Sequence, residues 1–477
     1  MSTRKIFIKA SGLLTAGLMI NKTSLFARGL SDFESKRPPL SERHFTSEAV
    51  EAMIKQIKSN LKNKELAWLF ENCFPNTLDT TVDFSIQNGV PDSYVITGDI
   101  DAMWLRDSTA QVTPYLSLMK NDKKLQQLIA GVINRQVKCI HLDPYANAFY
   151  KDGSKESEWK KTDVTDMKPG LHERKWEIDS LCYPIRLAYK YWKISGDTTP
   201  FNSNWKEAIK STVKTLKDQQ RKTGNGPYSF QRQTTWATDG VPLGGYGYPI
   251  KPVGLICSMF RPSDDATIFP FLIPSNYFAV VSLNQAAEML SKISGDTPLA
   301  NECSQLAAEI KSALQQYGTT THPQFGKVIA YEVNGFGSYS LMDDANVPSL
   351  LSLPYLNAIS NTDAVYLNTR KLVLSASNPF YFKGKAAEGI GGPHAGMEMI
   401  WPLSIIMRGL TSSSDAEIKH CVRSLIDTHG GTGFMHESFH KDDAKRFSRK
   451  WFAWANTIFG ELIMEVYLKK PGLLNGI

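Results

Sequence analysis

Acids, guanidinium groups and aromatic rings gather in five short stretches of this chain, and each has the makings of a site. The first is Gly98-Asp99-Ile100-Asp101-Ala102-Met103-Trp104-Leu105-Arg106-Asp107-Ser108. Carboxylates and a guanidinium beside a Trp suit the recognition of vicinal hydroxyls, because both ionic groups make paired hydrogen bonds. Helix capping by Asp101 or Asp107, with Arg106 as ion-pair partner, explains the same residues. The second is Leu171-His172-Glu173-Arg174-Lys175-Trp176-Glu177-Ile178-Asp179-Ser180. It has the same mixture, although a solvated first helical turn is the plainer reading of its charges. Glu173 and Asp179 stand six apart, which puts them on different helix faces.

The third stretch, Phe260-Arg261-Pro262-Ser263-Asp264-Asp265, sets two adjacent carboxylates on a Pro-containing loop. A like charge raises the pKa of its neighbour, which suits a general acid, while Ser and Asp are also common turn formers. The fourth runs from Gly430 to His440 and contains His436-Glu437-Ser438-Phe439-His440. That spacing matches the H-E-x-x-H pattern, in which a helix presents two zinc ligands and a Glu base. Glu461 is available as a third ligand. The glycine-rich approach and the flanking Lys441-Asp442-Asp443 argue against the long amphipathic helix that zinc binding needs. The fifth, Gly389 to Pro402, places His394 and Glu398 at an expected helix start after a glycine-rich approach, or else forms a turn with a capping His. No Walker loop, G-x-S-x-G elbow or strand-bound G-x-G-x-x-G is present.

The elements around these stretches read as helices. Apolar residues recur at helical spacing over 47–61, 66–74, 105–119, 125–142, 177–194, 205–220, 276–293, 299–317, 397–410, 415–429 and 452–468. Two further helices are expected over 347–355 and 363–374. The hexapeptide Lys193-Ile194-Ser195-Gly196-Asp197-Thr198 recurs as Lys292-Ile293-Ser294-Gly295-Asp296-Thr297. It predicts one turn used twice, with Gly ending a helix and Asp or Thr capping the next. Such hairpins close into a toroid of inner and outer helices, an (α/α)6 barrel, and an open solenoid would show a regular period that is absent here. A β-hairpin is expected within 80–98, and 224–274 reads as a long, aromatic-rich functional loop. The chemistry-bearing stretches all fall at loop-to-helix junctions, so closing the ring gathers them into one polar pocket.

Composition narrows the rest. With 42% hydrophobic and 21% charged residues the chain is globular, and its net charge of +7 is scattered rather than clustered, which excludes a nucleic-acid footprint. The six cysteines lie far apart in apolar surroundings and read as buried thiols. Basic residues followed by a short apolar run make 1–27 an expected signal peptide, with 28–45 a linker and 46–477 a single domain. An exported, periplasmic, monomeric protein without a stable membrane insertion is the expectation.

In order along the chain, G-D-I-D-A-M-W-L-R-D-S, R-P-S-D-D, I-P-S-N at Ile273 to Asn276, G-G-P-H-A-G at Gly391 to Gly396 and M-H-E-S-F at Met435 to Phe439 resemble glycoside hydrolase family 125. The resemblance spans most of the chain. It implies an (α/α)6 barrel that removes terminal α-1,6-linked mannose from oligosaccharides such as N-glycan fragments, with inversion and without metal or other cofactor. It implies Asp264, with Asp265 as the alternative, as general acid and Glu437 as general base. Arg106, Asp107, His172, Glu173, Lys175 and His394 then become sugar contacts, and Asp101, Trp104, Trp176 and Glu398 complete the expected pocket. A zinc peptidase and a non-catalytic carbohydrate-binding barrel are the competing readings.

Overall fold

Helices begin where the sequence supplies side-chain caps. Ser47 accepts from Val50 N, Asn63 from Leu66 N, Asp122 from Leu125 N and Asp363 from Tyr366 N, each satisfying a backbone donor that the first turn leaves open. The computed structural model describes residues 33–477, so the expected signal peptide lies outside the described residues. The compact body spans Ser35–Ile477. It begins earlier than the expected boundary at 46, because Arg37 pairs with Glu51 and with Asp79 at 2.7 Å, and Phe45 is buried.

The fold is an (α/α)6 barrel. Outer helices Lys64–Cys73, Lys123–Leu142, Ser203–Asp218, Thr297–Tyr317, Ala364–Val373 and Asp415–Asp427 alternate along the chain with an inner series. The inner helices are Leu105–Val112, Ile178–Ser195, Ile273–Met289, Pro402–Leu410 and Ala453–Lys469. Each inner helix packs on its ring neighbour, and the last packs on the first, closing the circle. Inner positions are enclosed from both sides, which is why every residue of Leu105–Val112 is buried, as expected for a helix without a solvent face.

The sixth inner position is not the helix expected over 347–355. Residues 345–350 bend there without regular structure and residues 351–357 form consecutive turns. Pro348 and Pro354 each lack an N–H, and Asp343 takes the N–H groups of Leu350 (2.8 Å) and Leu351 (3.0 Å). Ser349 and Ser352 exchange further side-chain bonds with each other's backbone, so local polar groups outcompete the helical ladder. The segment still closes the wall, since Tyr183 donates to the Val347 carbonyl at 2.8 Å.

The repeated hexapeptide ends two helices on left-handed glycines, Gly196 at φ 71° and Gly295 at φ 65°. Only its second copy caps the next helix directly, through Asp296. After the first copy, Asp197 holds a turn through Thr199 N and the cap is Asn202. The hairpin expected within 80–98 is Val82–Gln87 paired with Val90–Val95. The fifth stretch is not a helix start: Met399–Ile400 is a strand and the helix begins at Pro402. Short strands likewise stand directly before Leu105 and Ile273, fixing the N-terminal ends of inner helices at one end of the ring. All six cysteines are buried and unpaired, and among the described residues no helix is long and apolar enough to cross a membrane.

Candidate active site

The first turn of Leu105–Val112 delivers Arg106, only 3% exposed, into a nest of acids. Nη1 donates to Asp107 at 2.9 Å, and Nη2 reaches Glu177 at 3.2 Å and Asp264 at 3.1 Å. Asp179 lies 3.4 Å from Nε. Four carboxyl groups thus surround one guanidinium. Burial pushes Asp179 up to about 7 and Asp107 up to about 6, and lifts Glu177 well above the carboxylate range, in each case against the pull of Arg106. The nearby charges of Asp179 and Asp264 add to the rise of Glu177.

The adjacent pair Asp264 and Asp265 separates clearly. Asp265 is 1% exposed and accepts from Thr238 at 2.6 Å and from Ser263 at 3.2 Å, so it braces the loop. Arg261 anchors the same loop on buried Glu332 at 2.7 Å. Asp264 turns the other way on a left-handed backbone, φ 68°, with a quarter of its side chain open. Its neighbours in charge are Arg106 and the acids of that nest, rather than Asp265.

Glu437 accepts from Ser448 Oγ at 2.8 Å and from Arg449 Nη1 at 3.3 Å. Arg449 also pairs with Asp99, linking the loop before the last inner helix to the loop before the first. The charges of Asp264 and Glu437 both act on Asp107. The H-E-x-x-H segment is loop and strand, not helix. His436 is fully buried, stacks on Phe447 with centroids 4.0 Å apart, and bonds the Arg449 carbonyl. His440 turns to Glu398 at 3.4 Å, and Glu461 bonds Tyr355 instead, so the three do not assemble as zinc ligands.

The second stretch is not a solvated turn: His172, Glu173, Arg174, Lys175, Glu177 and Asp179 are all at most 5% exposed. Glu173 sits between Lys175 (3.4 Å) and Arg232 (2.9 Å) and accepts from Asn147; although burial opposes it, these partners hold its pKa far below the carboxylate range. Lys175 bonds Asp239 at 2.7 Å and the Asp264 carbonyl at 2.9 Å, fixing that backbone. His172 lies edge-on to Trp104 and bonds Tyr150 at 3.1 Å. Trp104 is buried and its indole N–H has no partner among the described residues. His394, half-buried beside Trp401, acts electrostatically on Asp265.

One expected pocket residue belongs to the core, and two are exposed with ion-pair partners of their own. Trp176 is wholly buried, donating to the Cys257 carbonyl at 2.7 Å, and belongs to the core. Asp101 is 74% exposed and pairs with Lys155. Glu398 is exposed and pairs with Lys441. Conversely, Glu177, Asp179, Ser448, Arg449 and Asp99 were not expected as site residues. Their signal was positional, since each stands at a loop-to-helix junction like the others.

A family model described as metal-independent alpha-mannosidase (GH125) matches residues 63–464. A Schizosaccharomyces pombe relative, the meiotically up-regulated gene 157 protein, is 42% identical over 92% of this chain and 89% of its own. A Streptococcus pneumoniae structure described among metal-independent alpha mannosidases, in a non-productive complex with α-1,6-mannobiose, is 40% identical. It covers 90% of this chain and 100% of its own at a TM-score of 0.86. A bacterial glucoamylase complexed with acarbose shares the fold alone, at 14% identity and a TM-score of 0.53 over 88% of this chain and 59% of its own.

Proposed function

Because this chain belongs to the metal-independent α-mannosidase family GH125, we propose that it is an exo-acting hydrolase of terminal α-1,6-linked mannose, working on oligosaccharides such as N-glycan fragments with inversion at the anomeric carbon. The linkage follows the mannobiose bound by the Streptococcus pneumoniae relative. The observation that carries the mechanism is the division of labour between Asp264 and Asp265. Asp264 is the open member of the pair and stands 3.1 Å from Arg106 at the cleft, so it protonates the leaving oxygen. Glu437, receiving donors from Ser448 and Arg449, has the arrangement an ionised carboxylate needs and activates the water. Arg106, Asp107, His172 and His394 orient the sugar. An inverting pair stands about 6.5–9.5 Å apart to admit that water.

The deciding experiment follows mannose release from α-1,6-mannobiose by proton NMR. β-Mannose appears first and then mutarotates; α-mannose as first product refutes inversion, and binding without release establishes a carbohydrate-binding barrel. Residues 1–27 carry the pattern of an export signal. Hydrolysis outside the cytoplasm is therefore part of the proposal, checked by the N-terminal mass of the protein recovered from its cells.

A further inference from the structure

Asp99 takes no part in the chemistry proposed above, yet it is tied to the group that does. Gly98 adopts φ 134° and lies close against the ring of Trp451, where an added Cβ would stand 3.1 Å from the indole. A residue with a side chain is strained there, whereas glycine lets the chain bring Asp99 onto the loop that follows the hairpin Phe439–His440 with Asp443–Phe447.

Two groups on that loop face Glu437. Ser448 Oγ accepts from Ser438 N at 3.2 Å and from Ser438 Oγ at 2.9 Å, so its single proton goes to Glu437 Oε2. Arg449 Nη1 donates to the other oxygen, Oε1, at 3.3 Å. The remaining edge of the guanidinium, Nε and Nη2, faces both oxygens of Asp99, with Nε 3.3 Å from Oδ2. A paired edge outcompetes a single donor, so Asp99 sets the orientation of Arg449. Glu437 then receives one N–H where a freely turning guanidinium could give two. A carboxylate has about four lone-pair sites, and one donor on each oxygen leaves room for a water.

We propose that Asp99 is a positioning residue for hydrolysis: by holding the Nε–Nη2 edge of Arg449 it limits the guanidinium to one donor toward Glu437 and keeps a lone pair of the base for the water. The inference rests on the reading of Glu437 as base. The charges about that base come from three elements: Arg449 after the hairpin, Asp99 before the first inner helix, and Asp107 on Leu105–Val112, whose proton the Glu437 charge helps to hold.

Removing the Asp99 carboxylate acts on Glu437 in one direction. Arg449 turns its paired edge onto the base and a nearby negative charge is lost; both favour the ionised form and weaken it as a base. Asp99→Asn is expected to lower kcat by roughly tenfold, a part of the 10²–10⁴ that a positioned base supplies. KM stays within about twofold, since the lost interaction matters in the transition state. The acidic limb of the pH–rate profile moves to lower pH by about half a unit, and Asp99→Glu restores it. The Asp99 side chain is 59% exposed, so the melting temperature falls by no more than about 2 °C. A raised KM with kcat and limb unchanged makes Asp99 a sugar contact and overturns the proposal. A lowered melting temperature with wild-type kinetics makes the ion pair purely structural and overturns it too. Glu437→Gln, measured alongside, separates the two readings. Full activity there refutes the base and the role of Asp99 with it, whereas an inactive Glu437→Gln beside an unshifted Asp99→Asn profile refutes the role of Asp99 alone.

Discussion

Asp264 and Asp265 share a sequence context but touch different surroundings, so the same substitution has different consequences at each. Asp264→Asn keeps a residue type that tolerates φ 68° and is expected to lower kcat by about 10²–10⁴ with an unchanged melting temperature. Asp265→Ala strips the acceptor from Thr238, while Ser263 keeps Asp344 at 2.7 Å, and is expected to cost about 1–3 kcal/mol in urea unfolding. Glu177→Gln tests the buried carboxyl beside the acid. The amide removes a buried carboxyl with a raised pKa that shares Arg106 Nη2 with Asp264, and the pH–rate profile is expected to change shape. A profile superimposable on wild type removes Glu177 from the mechanism. Glu437 and the Asp pair were legible in the sequence as isolated carboxylates. Arg449 was not, because its role depends on Asp99 and Glu437, which only the closed ring brings to it.

Elements were legible where apolar spacing and a capping residue agreed, as at Asp122 and Asp363. They were not legible over 347–355, where apolar residues at helical spacing face a competing set of side-chain acceptors. Asp343, whose pKa burial pushes up to about 8, organises that set. Asp343→Ala removes the acceptor of two buried N–H groups and is expected to destabilise the protein by about 2–4 kcal/mol, read as a lower urea midpoint at constant m-value. A midpoint within error of wild type shows that the turns hold without it. The second stretch failed in the opposite direction. Six charged or polar residues near one helix start look solvated in sequence, and they are buried because loops from other hairpins supply Arg232, Asn147 and Asp239 as partners.

For the whole molecule, the acid cluster couples stability to pH. Asp107 and Asp179 have folded-state pKa values raised to about 6 and about 7, so the folded protein retains protons that the unfolded chain sheds near pH 4. The contribution is complete below the unfolded pKa and is lost as pH rises through 6 and 7. The melting temperature is therefore expected to be higher at pH 5 than at pH 7.5, and Asp179→Asn narrows that gap; a gap unchanged in the variant contradicts the assignment. The ring architecture itself was legible from paired helices and a repeated turn.

The seam where the ring closes also sets a clock. Thr77 bonds Thr457 at 2.9 Å and Asn76 accepts from Asn456 at 3.0 Å, each pair 380 residues apart in sequence. At a synthesis rate of about 5–20 residues per second, the first hairpin waits roughly 20–80 s for the helix that completes it. Throughout that interval the apolar face of Lys64–Cys73, destined for the last helix, has no native cover, and the nascent chain is most exposed to chaperones and proteases there.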